Sequence, residues 1–393
     1  MRYIAHRMEE QFEMIAKTAH GFEEILEKEL LQLGAQKIEK GVRSVRFVGD
    51  KGFMYKANLC LRTAIRILKP VAKVTAQNDN QLYRAMYNFP WETYLNIDQT
   101  FYFGVTLNSD YFSHSLFIAQ KTKDALVDRF RKLESRRPSV DKEDPDIRFH
   151  IHVYQDQFSI SIDSSGKSLH QRGYKTATNI APINEVLAAG MLLLSGWDGQ
   201  SDFLDPMCGS GTIAIEAAMI ACNIPVNINR KEFAFEKWND WDEALYLTIE
   251  ESSLHKIRGF DHKIIAYDKA PSAVEKATEN VANANLSDFV EIRQVDFFKT
   301  QKESDGFLQL VFNPPYGERL NIEMETFYEN IGNTLKRGYP GSHAWFITSN
   351  IPALKHVGLR PSRKIHLFNG KLESRFVKYE LYEGTKKIHK LRS

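Results

Sequence analysis

The chain has 393 residues, 43% of them hydrophobic and 26% charged, with a formal net charge of +2. That length supports two or three domains with real cores, and that balance excludes a long disordered chain or a fibre. No stretch approaches the roughly 20 apolar residues of a membrane span, the start Met1 to Arg7 lacks the apolar core of a signal peptide, and Cys60, Cys208 and Cys222 are too few and too scattered for a disulfide framework or a zinc knuckle. A cytoplasmic protein with free thiols, no metal and no membrane contact is expected.

The charge is unevenly spread. Residues 1–180 hold 27 Lys and Arg against 22 Asp and Glu, a net of +5, while the remainder holds 25 against 28, a net of −3. A polyanionic partner would favour the first half, where Arg62, Arg66, Lys69 and Lys73 form one set and Lys121, Lys123, Arg129, Arg131, Lys132, Arg136 and Arg137 another.

In chain order, residues 12–16 read as a strand, 21–34 as a helix with Phe22, Ile25, Leu26, Leu30 and Leu33 near helical spacing, and 44–48 as a strand. Residues 51–62 give another helix and 65–74 a strand, the rhythm of a small α+β sandwich. A fresh unit is expected from about Thr100, with a strand at 101–107, a long basic helix at 116–133 and a hairpin at 147–163.

Several stretches here, His20-Gly21-Phe22-Glu23, Ala57 to Ala64, Pro90-Trp91, Lys121 to Ala125 and Leu169-His170-Gln171-Arg172-Gly173-Tyr174, resemble the THUMP-domain RNA methyltransferases. The resemblance implies a ferredoxin-like domain at 1–95, a THUMP domain at 96–170, a linker at 171–182 and a catalytic domain at 183–393. It also implies that the first two bind structured RNA, and Lys121, Lys123, Arg172 and Lys175 are the candidate contacts.

Beyond the linker, 183–194 reads as a buried helix opened by Pro182, and the resemblance implies that this turn closes over the methionine end of a cofactor. Short apolar strands at 203–205, 264–268, 290–296, 308–313 and 343–348 then alternate with helices at 211–222, 272–284 and 324–336, before a terminal hairpin at 364–369 and 376–382. This pattern predicts an α/β, Rossmann-like doubly wound sheet with an antiparallel edge. Ligands bind such sheets at the carboxyl ends of the strands, and Asp205, Asp268, Asp296 and Asn313 all fall there.

Asp205-Pro206-Met207-Cys208-Gly209-Ser210-Gly211-Thr212 is a glycine loop that lets backbone approach an adenosyl cofactor. The same residues fit a dinucleotide fingerprint, but its ribose-binding acid should come about 20 residues later, and here the chain enters an insertion at 223–259 instead. The insertion resembles one in the same methyltransferase family. S-adenosylmethionine is therefore the expected cofactor: its amino acid end near Gly209 to Gly211 and Asp205, its ribose near Asp268, its adenine near Asp296 and Phe297 with Lys269 alongside. Cys208 reads as a packing residue, with no basic neighbour to lower its pKa.

Asn313-Pro314-Pro315-Tyr316 ends the apolar run 308–312 and looks like a methyltransferase loop that grips an exocyclic amine. The Asn side chain and the Pro314 carbonyl can accept both protons of a planar base amine, which favours the pyramidal nitrogen of the transition state. Pro315 stiffens the loop, and Tyr316 stacks on a base that has left its helix. The tetrapeptide suits adenine and guanine alike. The basic first half favours RNA, and the resemblance is to bacterial 23S rRNA guanine-N2-methyltransferases, acting on 23S rRNA or a ribosomal assembly intermediate. A tRNA guanine-N2-methyltransferase, an adenine-specific DNA methylase, a nicotinamide oxidoreductase and a catalytically inactive RNA-binding protein are the alternatives.

Overall fold

A computed structural model describes residues 10–176, 183–315 and 323–382. Two compact units emerge: one built on Leu26–Leu169 with the strand before it and Lys231–Ser252, the other on Ala19–Ile25, His170–Arg230 and the chain from Ser253 onward.

The first unit contains β1 (Phe12–Thr18), α1 (Glu23–Leu33, begun in the other unit), β2 (Gln36–Gly41), β3 (Ser44–Gly49), α2 (Lys51–Cys60), β4 (Ala64–Thr75), α3 (Asp79–Asn88), β5 (Thr100–Asn108), α4 (Ser115–Glu134), β6 (Ser139–Val140), β7 (Ile147–Tyr154) and β8 (Gln157–Asp163). The strands form one eight-stranded sheet, ordered β2-β3-β1-β4-β8-β7-β5-β6. The two separate units expected on either side of Thr100 thus share a sheet. The link is the 12-residue β4, which pairs antiparallel with β1 through Ala64–Leu68 and with β8 from Leu68 to Thr75. Pro70, which has no N–H to give, sits where the β4–β8 register shifts, and a bulge tolerates that loss.

Alternation decides which face of this sheet is core. On β7, Ile147, Phe149, Ile151 and Val153 are fully buried, whereas Arg148, His150, His152 and Tyr154 point the other way. The apolar face packs under the helices, where the Trp91 ring meets Phe103 and Phe149 at 5.3 and 5.0 Å and its indole N–H donates to the Met86 carbonyl.

The second unit holds α5 (Glu185–Ser195), β9 (Asp202–Asp205), α6 (Thr212–Ala221), β10 (Ile264–Asp268), α8 (Pro271–Asn283), β11 (Val290–Gln294), β12 (Leu308–Phe312), α9 (Met324–Gly338), β13 (Ser342–Thr348), β14 (Arg363–Asn369) and β15 (Leu372–Leu381), while α7 (Glu243–Leu254), between α6 and β10 in the chain, belongs mostly to the first. Its sheet runs β11-β10-β9-β12-β13-β15-β14, with β11 to β13 parallel and β15 antiparallel to both its neighbours. All five residues of β12 are buried, as are all ten of α6, because a central parallel strand is covered on both faces. Asn184 caps α5 by accepting the N–H groups of Val186 and Leu187. Pro182, expected to open that helix, lies outside the described residues.

The insertion divides between the units. Phe233, Phe235 and Trp238 join the core of the first, and the Phe235 and Trp241 rings lie 4.5 and 5.2 Å from Tyr55 of α2. An insertion in the catalytic sequence is therefore also part of the N-terminal core.

Candidate functional site

Four adjacent parallel strands, β11, β10, β9 and β12, deliver four polar residues to one rim. Asp205 ends β9, in register with Ala266 of β10, and Asp268 ends β10. Asp296 caps the short 3-10 turn Phe297–Lys299 just past β11, accepting the Phe298 N–H at 3.1 Å. Asn313 follows β12 directly.

The glycine loop between β9 and α6 is held from its neighbours. The Cys208 N–H donates to the Tyr267 carbonyl at 2.8 Å, the Gly209 N–H to Asp268 Oδ2 at 3.0 Å, and the Gly211 N–H to the Cys208 carbonyl at 2.8 Å. Asp268 Oδ1 also accepts the Ala270 N–H at 2.9 Å, so this carboxylate ties the loop to the next strand while keeping lone pairs free of those bonds. Gly209 and Gly211 have φ of 56° and 81°, a region that penalises side chains. At Gly211 a Cβ would also press within 3.3 Å of Ala277 on α8.

Two polar atoms of the rim are buried without a partner among the described residues: Asp205 Oδ2 and Asn313 Oδ1. Asp205 is fully buried, and among the described residues its other oxygen accepts one long bond, from the Met207 N–H at 3.4 Å. Burial, with Asp268 adding to it, pushes its carboxyl well above the usual carboxylate range. Orphaned buried acceptors cost stability unless a ligand satisfies them, so the rim fits a molecule that brings donors or positive charge. The direction of that shift predicts a pH dependence. In the window above the unfolded pKa of about 3.9 the folded state still holds a proton that the unfolded chain has released, so the cofactor-free protein loses stability as pH rises. Asp205→Asn removes the effect: its thermal midpoint measured from pH 5 to 8 should decline less than that of the parent, and its cofactor affinity should be lower. Identical slopes would show that Asp205 is satisfied in solution.

The other expected site residues fall as follows. Pro206, Cys208, Ser210 and Thr212 are buried, Met207 is half-buried, and burial raises the Cys208 thiol well above its usual range, consistent with packing rather than nucleophilic work. Pro314 is buried and Pro315 half-buried, while Tyr316 lies outside the described residues. Lys269 is exposed. The Phe297 ring is packed among Phe298, Phe312 and Tyr339 and only 3% exposed, so it supports the rim from below rather than offering a face to a ligand.

Two of the four expected RNA contacts are corrected. Arg172 is buried with Glu216 of α6, Nε to Oε1 3.4 Å, and its Nη1 reaches Asn227 Oδ1; the Tyr174 hydroxyl donates to the same Glu216 oxygen. Lys175 pairs with Glu185 at 2.9 Å and is largely buried. Both cations hold the catalytic unit together. One residue went unnoticed: Asn280 on α8, fully buried, accepts the Thr176 N–H and donates to the Ser210 carbonyl at 3.0 Å, tying the segment before α5 to the glycine loop. An Asn within a helix carries no sequence signal for such a role.

A parallel sheet with an adenosyl-type glycine loop, acids on successive strand ends and an Asn-Pro-Pro loop beside them defines a class I methyltransferase, an enzyme that uses S-adenosylmethionine. Residues 172–378 match the RMKL-like methyltransferase domain, 76–163 the THUMP domain and 13–68 the RlmL ferredoxin-like domain. The chain belongs to the RMKL-like methyltransferase family. It is 34% identical to slr0064 of Synechocystis sp., provisionally named an RNA methyltransferase, over 93% of this chain and 96% of that one. It is 35% identical to ribosomal RNA large subunit methyltransferase K/L of Syntrophotalea carbinolica over 96% of this chain but 54% of the relative, so it spans about half the length of the K/L relatives. SMU.472, provisionally described as a methyltransferase and solved with SAH bound, superposes with a TM-score of 0.83 at 30% identity, covering 96% of this chain and all of that one.

Proposed function

We propose that the protein methylates the exocyclic N2 amine of a guanine in 23S rRNA, presented as the naked RNA or as a ribosomal assembly intermediate in the cytoplasm. The observation that carries the chemistry is the buried Asn313 Oδ1, without a partner among the described residues, at the end of β12 and one strand from Asp205. The choice of ribosomal RNA rests on the K/L relatives and on the THUMP match.

Bound S-adenosylmethionine supplies an electrophilic methyl group on a sulfonium. The loop Pro206 to Thr212 would hold its amino acid end, Asp205 would offer an acceptor to positive charge, and the remaining lone pairs of Asp268 would serve the ribose hydroxyls. Asp296, the Phe297 backbone and Lys269 would border the adenine, and Pro182 is the candidate for the methionine end. Asn313 and the Pro314 carbonyl accept the two amine protons, localising the nitrogen lone pair that a planar aryl amine spreads into its ring. Pro315 restricts the loop, and Tyr316 holds the extruded base in line. Residues 1–95 and 96–170 receive the RNA, 171–182 connect, and 183–393 carry out the transfer.

Labelled S-adenosylmethionine offered with protein-free 23S rRNA, bulk transfer RNA and duplex DNA, followed by nucleoside analysis, tests this reading. Label in N2-methylguanine of 23S rRNA is expected. Label in transfer RNA would move the substrate and keep the mechanism, and label in DNA adenine would overturn the role given to the first half.

A further inference from the structure

One face of the eight-stranded sheet carries the apolar core, and the register makes the other face polar. Lys17 of β1 lies opposite Arg66 of β4, Arg46 of β3 opposite Ile15, and Lys73 of β4 opposite Ser159 of β8. Ser159 in turn faces His152, Ser161 faces His150, and Arg148 faces Tyr102 of β5. Since side chains directly opposite in register share a face, these residues form a single surface crossing β3, β1, β4, β8, β7 and β5.

Its charges do not cancel. Three carboxylates share the face: Glu13 lies 3.7 Å from Arg46, Glu39 sits opposite Arg46, and Asp163 is taken by Arg66. Lys17, Lys73 and Arg148 have no ion-pair partner among the described residues. The Arg148 guanidinium lies 5.0 Å over the Tyr102 ring, and its Nε is buried with no acceptor among the described residues. The titrating groups register the same imbalance. After burial, the charges that depress His152 are Lys17 and Arg46, and those that bring His150 down to about 4 are Lys17, His152 and Arg66. Lys17 thus acts on both rings, with Arg46 beside His152 and Arg66 beside His150.

Helix α4, where the sequence places its densest basic run, is different. Lys123 is paired with Asp124, Arg129 with Glu92 and Arg131 with Asp128, and Lys121 lies over the Tyr83 ring. Its cations already have local partners that an incoming phosphate must displace, whereas Lys17 and Lys73 of the sheet face have no ion-pair partner among the described residues to give up.

We propose that the polar face of the sheet, along Lys17, Lys73, Arg148, His152 and Tyr102, receives the sugar–phosphate backbone of the RNA. The proposal rests on the RNA reading given above. Unpaired lysines supply the sequence-independent attraction, Arg148 the charge-assisted bonds, and Tyr102 a ring on which a base can stack.

The test is equilibrium binding of the full-length protein to protein-free 23S rRNA across a potassium chloride series. The paired variant Lys17→Glu/Lys73→Glu is compared with Lys121→Glu/Lys123→Glu, and Lys17→Gln/Lys73→Gln repeats the measurement without charge reversal. The sheet-face pair is expected to bind at least tenfold more weakly, and the slope of log K against log salt should fall by roughly one to two, at about 0.7 to 0.9 per lost phosphate contact. Calorimetric S-adenosylmethionine affinity should not move, which confirms the fold. If parent and sheet-face variants bind with the same affinity and slope, or if only the α4 pair weakens, the face is wrong and the substrate reading stands. If the parent itself does not hold the RNA, the substrate reading falls and this face falls with it.

Discussion

Replacing Asn313 with Ala should lower kcat by about two to three orders of magnitude, roughly 3 to 4 kcal/mol of transition-state stabilisation, while the dissociation constant for S-adenosylmethionine changes by no more than about threefold. The loss is expected to be large because, in the role proposed for Asn313, the acceptor works on a developing charge. An aryl amine attacks poorly until its protons are drawn away from the ring plane, and Asn313 Oδ1 is buried, with no partner among the described residues to satisfy it first. Asn313→Asp keeps an acceptor at the same place and should recover part of the rate. Single-turnover transfer of labelled methyl groups, with calorimetry for the cofactor, separates the two quantities. Cofactor affinity that collapses along with kcat in the Ala variant would mean that Asn313 builds the pocket rather than serving the amine.

The second large effect concerns stability. Arg172→Met removes the guanidinium that meets the buried Glu216 carboxylate within the glycine-loop helix α6. Stranding one member of a buried pair costs about 3 to 5 kcal/mol, and for a unit of this size the melting temperature should fall by roughly 10 °C. Arg172→Met with Glu216→Leu should recover most of the loss, since the second change removes the stranded charge. The same variants settle the role read from the sequence. A variant of unchanged melting temperature whose RNA affinity drops would return Arg172 to the RNA surface, whereas a destabilised variant with an unchanged salt slope places it in the frame.

Both results bear on what a sequence discloses. The rim was readable because its signals are local: an uninterrupted apolar run at 308–312 means a strand covered on both faces, and a polar residue right after such a strand means the ligand end of the sheet. Arg172 and Lys175 were misread because a buried cation is spelled like a solvated one, and their partners stand at Glu216 and Glu185, at separations no periodicity reveals. Phe297 and Phe298 are adjacent, and only packing shows that the first belongs to the core. β2 was missed because Gln36–Gly41 has no buried residue and so no alternation to detect, as suits an edge strand. The single N-terminal sheet escaped notice because β4 and β8 meet across the whole intervening THUMP match, and long-range pairing leaves no trace in a window of 10 or 20 residues.

The split insertion sets a constraint on biosynthesis. The core of the N-terminal unit includes Phe233, Phe235 and Trp238, which follow Leu169 by some 60 residues, and the last of its segment, Ser252, follows by roughly 80. At about 5 to 20 residues per second, roughly 4 to 17 s separate the synthesis of the sheet from that of the last residue of the segment carrying the aromatic plug. Through that interval the Tyr55 side of α2 lacks its cover, so the sheet is laid down early and sealed late, a natural point for chaperone engagement.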